Sequence, residues 1–368
     1  MLKKNAFWFN IAVALTILAI GIIELHLFSP DEWFTKLDEQ TFIKWAQQSV
    51  SEIKAKGNRY FLFIILTRET LGSAGEGLAL KVQSIPFAIL TSLVIYDATK
   101  LRVTLWLFPI IFSFLFFFAT LVMRDSIIIF VTIWLCLKVS RSKAASLPMW
   151  TALGWAFYYF IRPEAGWLFL FTLLWYFIYR FLKRDVVVIY FIPTFLILFI
   201  FVTPIADYLI DFVGIYYGDR IDLYTINRSQ ELKNLPFISE NAAATIRQLF
   251  TPFPLSKLAR FLTIGAGENL YIYEFVRMIM MSSFYFLTLY CLIFWRKIWR
   301  VFAQNDFLKL VFGIALAYTL AYAIYADGGG DSRNKIYPYL LLYLFFVMTI
   351  HQLKIFGLAN NTNHPATI

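Results

Sequence analysis

Charge is scarce in this chain: Asp, Glu, Lys and Arg make up 15% of its 368 residues, against 60% hydrophobic residues. A soluble fold of this length needs a much larger charged surface, so a bilayer takes the place of water as the main solvent. Cysteine is nearly absent. Cys136 and Cys291 both lie inside apolar runs, where a packed thiol is the ordinary outcome, and this excludes a disulfide framework. The three histidines, His26, His351 and His364, are scattered. No His/Cys/carboxylate cluster has metal-ligand spacing, no Ser/His/Asp set stands out, and no glycine-rich phosphate loop opens a soluble helix. No Gly/Ser/Pro linker or long polar tract divides the chain, so residues 1–368 read as a single transmembrane domain.

The charge that is present has one sign in excess. A formal net charge of +10 would suit nucleic acid in a soluble protein. In a membrane protein it marks cytoplasmic loops and contact with anionic membrane lipids, and nucleic acid is excluded as a partner. Lys3 and Lys4 precede an apolar run from Phe7 to about Phe28, with no small-residue cleavage site before Pro30. This reads as an uncleaved first helix with a cytoplasmic N-terminus. Residues 29–77 then form an extracytoplasmic amphipathic loop along the membrane surface, in which Tyr60 to Leu66 is too short to cross.

With that register the remaining apolar runs alternate. Leu78 to Ala98 leads inward to Lys100 and Arg102, Val103 to Val122 returns outward, and Ser126 to Val139 leads inward to Arg141 and Lys143. Trp150 to Ile161 exits, Ala165 to Leu182 enters, and Val186 to Ile205 exits to a long outer loop at residues 207–274. Phe275 to Trp295 reaches the cluster Arg296, Lys297 and Arg300, Phe307 to Ala326 exits, and Ile336 to Leu353 ends near Lys354. Basic residues fall inside at nearly every turn, as the positive-inside rule requires. The expected fold is all-α: a polytopic bundle of about ten transmembrane helices, multi-pass, with both termini cytoplasmic.

Ionisable residues at helix ends are ordinarily snorkelling or capping groups. Here their shared side is what promotes them. Asp38-Glu39 sits in the first outer loop, Arg124-Asp125 at the outer turn of a hairpin, Arg162-Pro163-Glu164 at the next outer end, and Asp331-Ser332-Arg333 in the last outer loop. Lys36 and Lys44 offer Asp38-Glu39 simple surface partners, whereas a carboxylate at the lipid boundary suits a base for an acceptor hydroxyl. Arg124-Asp125 interrupts apolar residues from Val103 to Val139 and costs several kcal/mol unless it reaches an interface or a polar cavity. Pro163 and Glu164 suit the first turn of a helix, which leaves Arg162 unexplained. Arg162 and Arg333 have the guanidinium fork that matches phosphate oxygens, and Gly328-Gly329-Gly330 beside Asp331 permits close backbone approach.

The order of these features resembles the GT-C superfamily of integral membrane glycosyltransferases, which includes protein O-mannosyltransferases and aminoarabinose transferases. Asp38-Glu39 matches the acidic motif of the first outer loop, and Tyr60 to Gly72 the surface stretch that precedes a membrane helix. Asp125 matches the acid opening the fourth helix, Arg162-Pro163 the Arg-Pro pair after the fifth, and Arg333 with Pro338 the late basic residue before a proline-containing helix. Gly57-Asn58-Arg59 stands where such proteins carry an aromatic-rich Pro-Pro segment, which leaves the subfamily open.

The resemblance implies transfer of a sugar from a polyprenyl-phosphate-linked donor to a lipid, glycan or protein acceptor on the extracytoplasmic face of a bacterial inner membrane. Catalytic roles fall to Asp38 as base with Glu39 and Asp125 as acidic partners or contacts to a divalent cation, and substrate binding to Arg124, Arg162, Glu164, Asp331 and Arg333. Two other readings remain open at this point. A polysaccharide polymerase or ligase would use the same residues on polyprenyl-diphosphate-linked glycans, and a transporter or flippase would line a path reaching both faces.

Overall fold

A computed structural model describes residues 2–27, 44, 48–55, 64–65, 68–69, 82–121, 124–143, 146–182, 249–250, 271–325 and 335–353. Among the described residues there are twelve helices and no strand. They are α1 (Leu2–Leu27), α2 (Val50–Ala55), α3 (Ile85–Thr99), α4 (Val103–Ile111), α5 (Ser113–Ala119) and α6 (Asp125–Arg141). After these come α7 (Leu147–Ile161), α8 (Pro163–Leu182), α9 (Tyr271–Ile293), α10 (Trp295–Ala303), α11 (Asp306–Tyr325) and α12 (Ile336–Leu353). Two windows, Lys3–Ile20 and Phe275–Ile293, are long and apolar enough to cross a membrane, and α10 with α11 would count as a third only if the bent pair is one span. The expected crossing at residues 186–205, most of loops 29–77 and 207–274, and the stretch from Tyr60 to Phe63 lie outside the described residues.

The helices pack as a bundle because nearly all their faces are apolar. α3 lies along α6, α7 along α8, α8 along α11, and α12 contacts both α11 and α9. Aromatic side chains fill the middle: Phe112 stacks on Phe108 with ring centroids 4.8 Å apart and meets Tyr339 at 4.6 Å. Two helix pairs approach too closely for a larger residue. A β-carbon on Gly313 would come within 2.7 Å of Thr172, and one on Gly154 within 2.9 Å of Leu135. Small residues at such crossings are how apolar helices gain contact where lipid offers no hydrophobic drive.

The run expected to be continuous from Val103 to Val122 is broken at Phe112, where α4 gives way to α5. Pro109 explains the break, since it has no N–H to donate to the carbonyl of Leu105 four residues earlier. The side-chain amide of Asn10, buried in α1, donates to that carbonyl instead at 2.8 Å. Further along, the hydroxyl of Tyr339 donates to the carbonyl of Ile111 at 2.7 Å. Both neighbouring helices thus satisfy backbone groups that the kink releases.

A second difference concerns Arg296, Lys297 and Arg300, expected as a basic loop after a crossing. They lie instead on α10, a separate helix that begins at a bend after Phe294 and meets α11 at 111°.

Side-chain contacts sort the helix ends. Lys3 lies 4.9 Å over the ring of Tyr96, Arg141 bonds Asp97, Arg180 donates to the carbonyl of Ser142, and Tyr176 donates to Asp306. The start of α1, the ends of α3, α6 and α8, and the start of α11 therefore share one end of the bundle. The starts of α6, α8 and α12 and the end of α7 share the opposite end.

Candidate functional site

The opposite end is where the described candidates converge. Asp125 is the first residue of α6, where a carboxylate interacts favourably with the helix dipole. Arg162 joins α7 to α8 in an extended conformation, φ −158° and ψ 87°. Pro163 dictates that geometry: its ring disfavours a helical residue before it, so α7 stops and α8 restarts in a new direction. The turn brings the Arg162 guanidinium to 3.5 Å from Oδ1 of Asp125. The two side chains are 15% and 11% exposed, so this is a sheltered ion pair rather than a solvated one.

Arg124 closes the arrangement from its other side. Its guanidinium donates to the carbonyl of Ile161 at 3.0 Å, a group left without a helical donor because α7 ends there. The α5–α6 turn and the α7–α8 junction are therefore held together by two consecutive residues, Arg124 and Asp125, acting on two consecutive residues, Ile161 and Arg162. Separation in sequence is 37 residues, and packing of α6 against α7 is what makes them adjacent.

Below the ion pair lies a set of hydroxyls that sequence reasoning passed over. Thr132, two turns into α6, donates its hydroxyl hydrogen to the carbonyl of Ile128 at 2.7 Å. Its oxygen then accepts from Tyr158 of α7 and, at 3.0 Å, from Tyr337 of α12. All three residues are buried. Tyr318 of α11 adds its ring 4.3 Å from that of Tyr337. Tyr158 lies one turn before Arg162 and Thr132 two turns after Asp125, so the trio and the ion pair lie at the same end of α6, α7 and α12. Two further polar residues sit at this end fully buried, Ser126 next to Asp125 and Lys335 at the entry to α12. The Ser126 hydroxyl has no hydrogen-bond partner among the described residues.

The remaining candidates divide by position. Glu164 occupies the second position of α8, its side chain outside the described set, and Asp38, Glu39, Asp331 and Arg333 lie outside the described residues altogether. Among the described residues no three His, Cys, Asp or Glu side chains gather into a metal site. Asp125 already directs an oxygen at Arg162, so a divalent cation there would have to compete with a guanidinium, and no catalytic step is assigned to one.

Sequence patterns hid the hydroxyl trio because tyrosine and threonine in an apolar run leave hydropathy almost unchanged. The available signal was spacing: Tyr158 precedes Arg162 by one turn, and Tyr337 follows Lys335 by two residues. Each belongs to a helix that carries charge at this end of the bundle.

A second polar cluster occupies the other end. Lys309 is 3% exposed, lies 4.2 Å over the ring of Tyr179, donates to the Tyr179 hydroxyl, and sits 3.2 Å from Asp306. Tyr176 donates to the other oxygen of Asp306 at 3.1 Å. Asp306 itself is 44% exposed, and its solvated carboxylate needs no ligand.

No family model matches the chain, and no curated protein or solved structure matches it either.

Proposed function

We propose that the chain is a membrane glycosyltransferase of about ten transmembrane helices that transfers a sugar from a polyprenyl-phosphate-linked donor to an acceptor on the extracytoplasmic face. The observation that carries this reading is the sheltered meeting of Arg124, Asp125 and Arg162, an acid and two guanidiniums gathered at one end of an otherwise apolar bundle. A structural turn between apolar helices requires no such set. A lipid-linked phosphate does, because its charge at the edge of the bilayer needs fixed donors where water is scarce.

In this reading Arg162 and Arg333 contact the donor phosphate, with Arg124, Glu164 and Asp331 shaping the rest of the binding site. Asp38 takes the proton from the acceptor hydroxyl as its oxygen attacks the anomeric carbon. The bond from that carbon to the phosphate oxygen breaks, and the polyprenyl phosphate departs with its charge held by the guanidiniums. Asp125 and Glu39 act as acidic partners: Asp125 keeps the Arg162 fork oriented before the substrate arrives, which lowers the entropic cost of binding. An apolar groove lined by Leu147, Thr151, Trp155, Leu170 and Phe177 runs along α7 and α8, centred towards Leu147 and Phe177 and away from the Arg162 junction. Such a surface suits a prenyl chain.

The test is transfer itself. Purified protein in lipid, incubated with polyprenyl-linked sugars, should yield a new glycosidic product and free carrier; Asp38→Asn should lose product while still binding the lipid, and Asp125→Asn should lose product and bind the lipid more weakly. Undiminished product from both variants would remove these residues from the chemistry.

One observation favours a second reading, transport. The hydroxyls of Thr132, Tyr158 and Tyr337 continue the polar region from the ion pair into the bundle, as a path for a polar substrate would require. Movement of a labelled lipid-linked sugar across the bilayer with no bond made would select that reading.

A further inference from the structure

Helix α10 has three distinct faces, and one of them has no place in the site described above. Ile298, Val301 and Phe302 are buried, Phe302 packing on Phe312 and Phe345 with ring centroids at 5.4 and 6.1 Å. Trp295 and Trp299, one turn apart, are 60% and 42% exposed. Arg296, Lys297 and Arg300 are exposed; at 100° per residue Arg296 and Arg300 fall on the side away from the buried residues and Lys297 flanks Val301. The helix is too short to span anything, and its 111° bend against α11 sets it across the direction of the bundle helices.

The surface leading to α10 identifies what surrounds it. Phe286, Leu289, Leu292 and Ile293 of α9 are 58–67% exposed and form a stripe that ends at Trp295. On the reading that the bundle sits in a membrane, that stripe faces acyl chains, and the chain then turns through α10 at the depth where they end. Tryptophan belongs at that boundary and basic side chains just above it. The same end of the bundle also carries Lys3, Lys100, Arg141 and Arg180, so its field is positive.

We infer that α10 is an in-plane interfacial helix that binds anionic phospholipid headgroups through Arg296, Lys297 and Arg300, with Trp295 and Trp299 anchored at the acyl boundary. The charge complementarity is local. Arg296 lies 5.6 Å over the Trp295 ring and Lys297 5.8 Å over that of Phe294, so the cations are held beside the anchors rather than spread into solvent. No carboxylate is present anywhere in α10, whose sequence is WRKIWRVFA, and the headgroup meets no acidic competitor within the helix.

The experiment places the full chain in bilayers of phosphatidylcholine and phosphatidylglycerol in equal parts and measures, with spin-labelled lipids, which of the two is enriched at the protein boundary. The wild type should favour phosphatidylglycerol by roughly tenfold, as expected from a few basic residues at an anionic surface, and the preference should fall with salt. Arg296→Gln, Lys297→Gln and Arg300→Gln together should abolish most of it. Lys4→Gln, Arg102→Gln and Lys143→Gln together remove equal charge from exposed positions at the same end and should leave most of it. Arg296→Lys with Arg300→Lys keeps the charge and should keep the preference, which separates lost binding from misfolding. Equal preference in both triple variants would overturn the assignment to α10. A chain that stays soluble without detergent would overturn the membrane reading, and this inference with it.

Discussion

At one end of the bundle Asp125 meets Arg162 with side chains 11% and 15% exposed, while at the other Asp97 holds Arg141 and Lys100 with its own side chain 45% exposed. Both are carboxylates that pair with a guanidinium from another part of the bundle, and both tie helix ends together. The difference is solvent. Water shares the charge of Asp97, so its partners are interchangeable and its bonds contribute little. Asp125 has little water to share its charge, and its stability depends on the partner that α7 and α8 deliver. A chain that needed only to fasten helix ends has already done so with the solvated design. The sheltered pair at the other end is the costlier arrangement, and on the proposed function that cost serves binding.

Several substitutions sharpen or break this contrast. The largest effect belongs to Arg162→Leu, which leaves the sheltered Asp125 without its ion-pair partner. A loss of about 3–5 kcal/mol is expected, measured by denaturant unfolding in micelles, and adding Asp125→Leu should recover much of it. If the double variant is no more stable than the single one, the pair is not what shelters the charge. Next is Lys309→Leu at the other end, which removes a buried cation from over the Tyr179 ring. This should cost about 2 kcal/mol in the same unfolding assay, with Asp306 remaining solvated.

Tyr158→Phe should cost about 1 kcal/mol, because Thr132 keeps its bonds to Ile128 and Tyr337. A much larger loss would show that the hydroxyl trio acts as one unit with the ion pair. Arg141→Gln should be smallest, below about 1 kcal/mol and diminished further by salt. A loss as large as that of Arg162→Leu would erase the distinction between the two ends.

How much of this was legible in the sequence depends on the kind of residue. Asp125 and Arg162 announced themselves because charge interrupting apolar runs is costly, and Pro163 marked the junction between α7 and α8. Their pairing was not legible: it depends on which helix ends adjoin, and 37 residues separate Arg124 from its acceptor at Ile161. Helix positions came through well from hydropathy, with the expected Ser126 to Val139 observed as Asp125–Arg141 and Trp150 to Ile161 as Leu147–Ile161. Hydropathy averages over breaks, however. It ran through Phe112, although Pro109 carried the signal, and it left Arg296, Lys297 and Arg300 as a basic cluster after the crossing because three cations pull the average down while the amphipathic period of α10 goes unread. Lys309 was read past for a related reason. A lysine in the first turn of an apolar helix ordinarily snorkels to water, and only the placement of Tyr179 and Asp306 draws it inward.

The proposed function requires that the sheltered end, and not the solvated end, receive a lipid-linked phosphate. Equilibrium binding of a polyprenyl phosphate to the wild type, to Arg162→Gln and to Arg141→Gln, each verified as folded, tests this directly. Arg162→Gln should weaken binding at least tenfold, about 1.4 kcal/mol, while Arg141→Gln leaves it unchanged. Equal affinity in all three proteins would contradict the account.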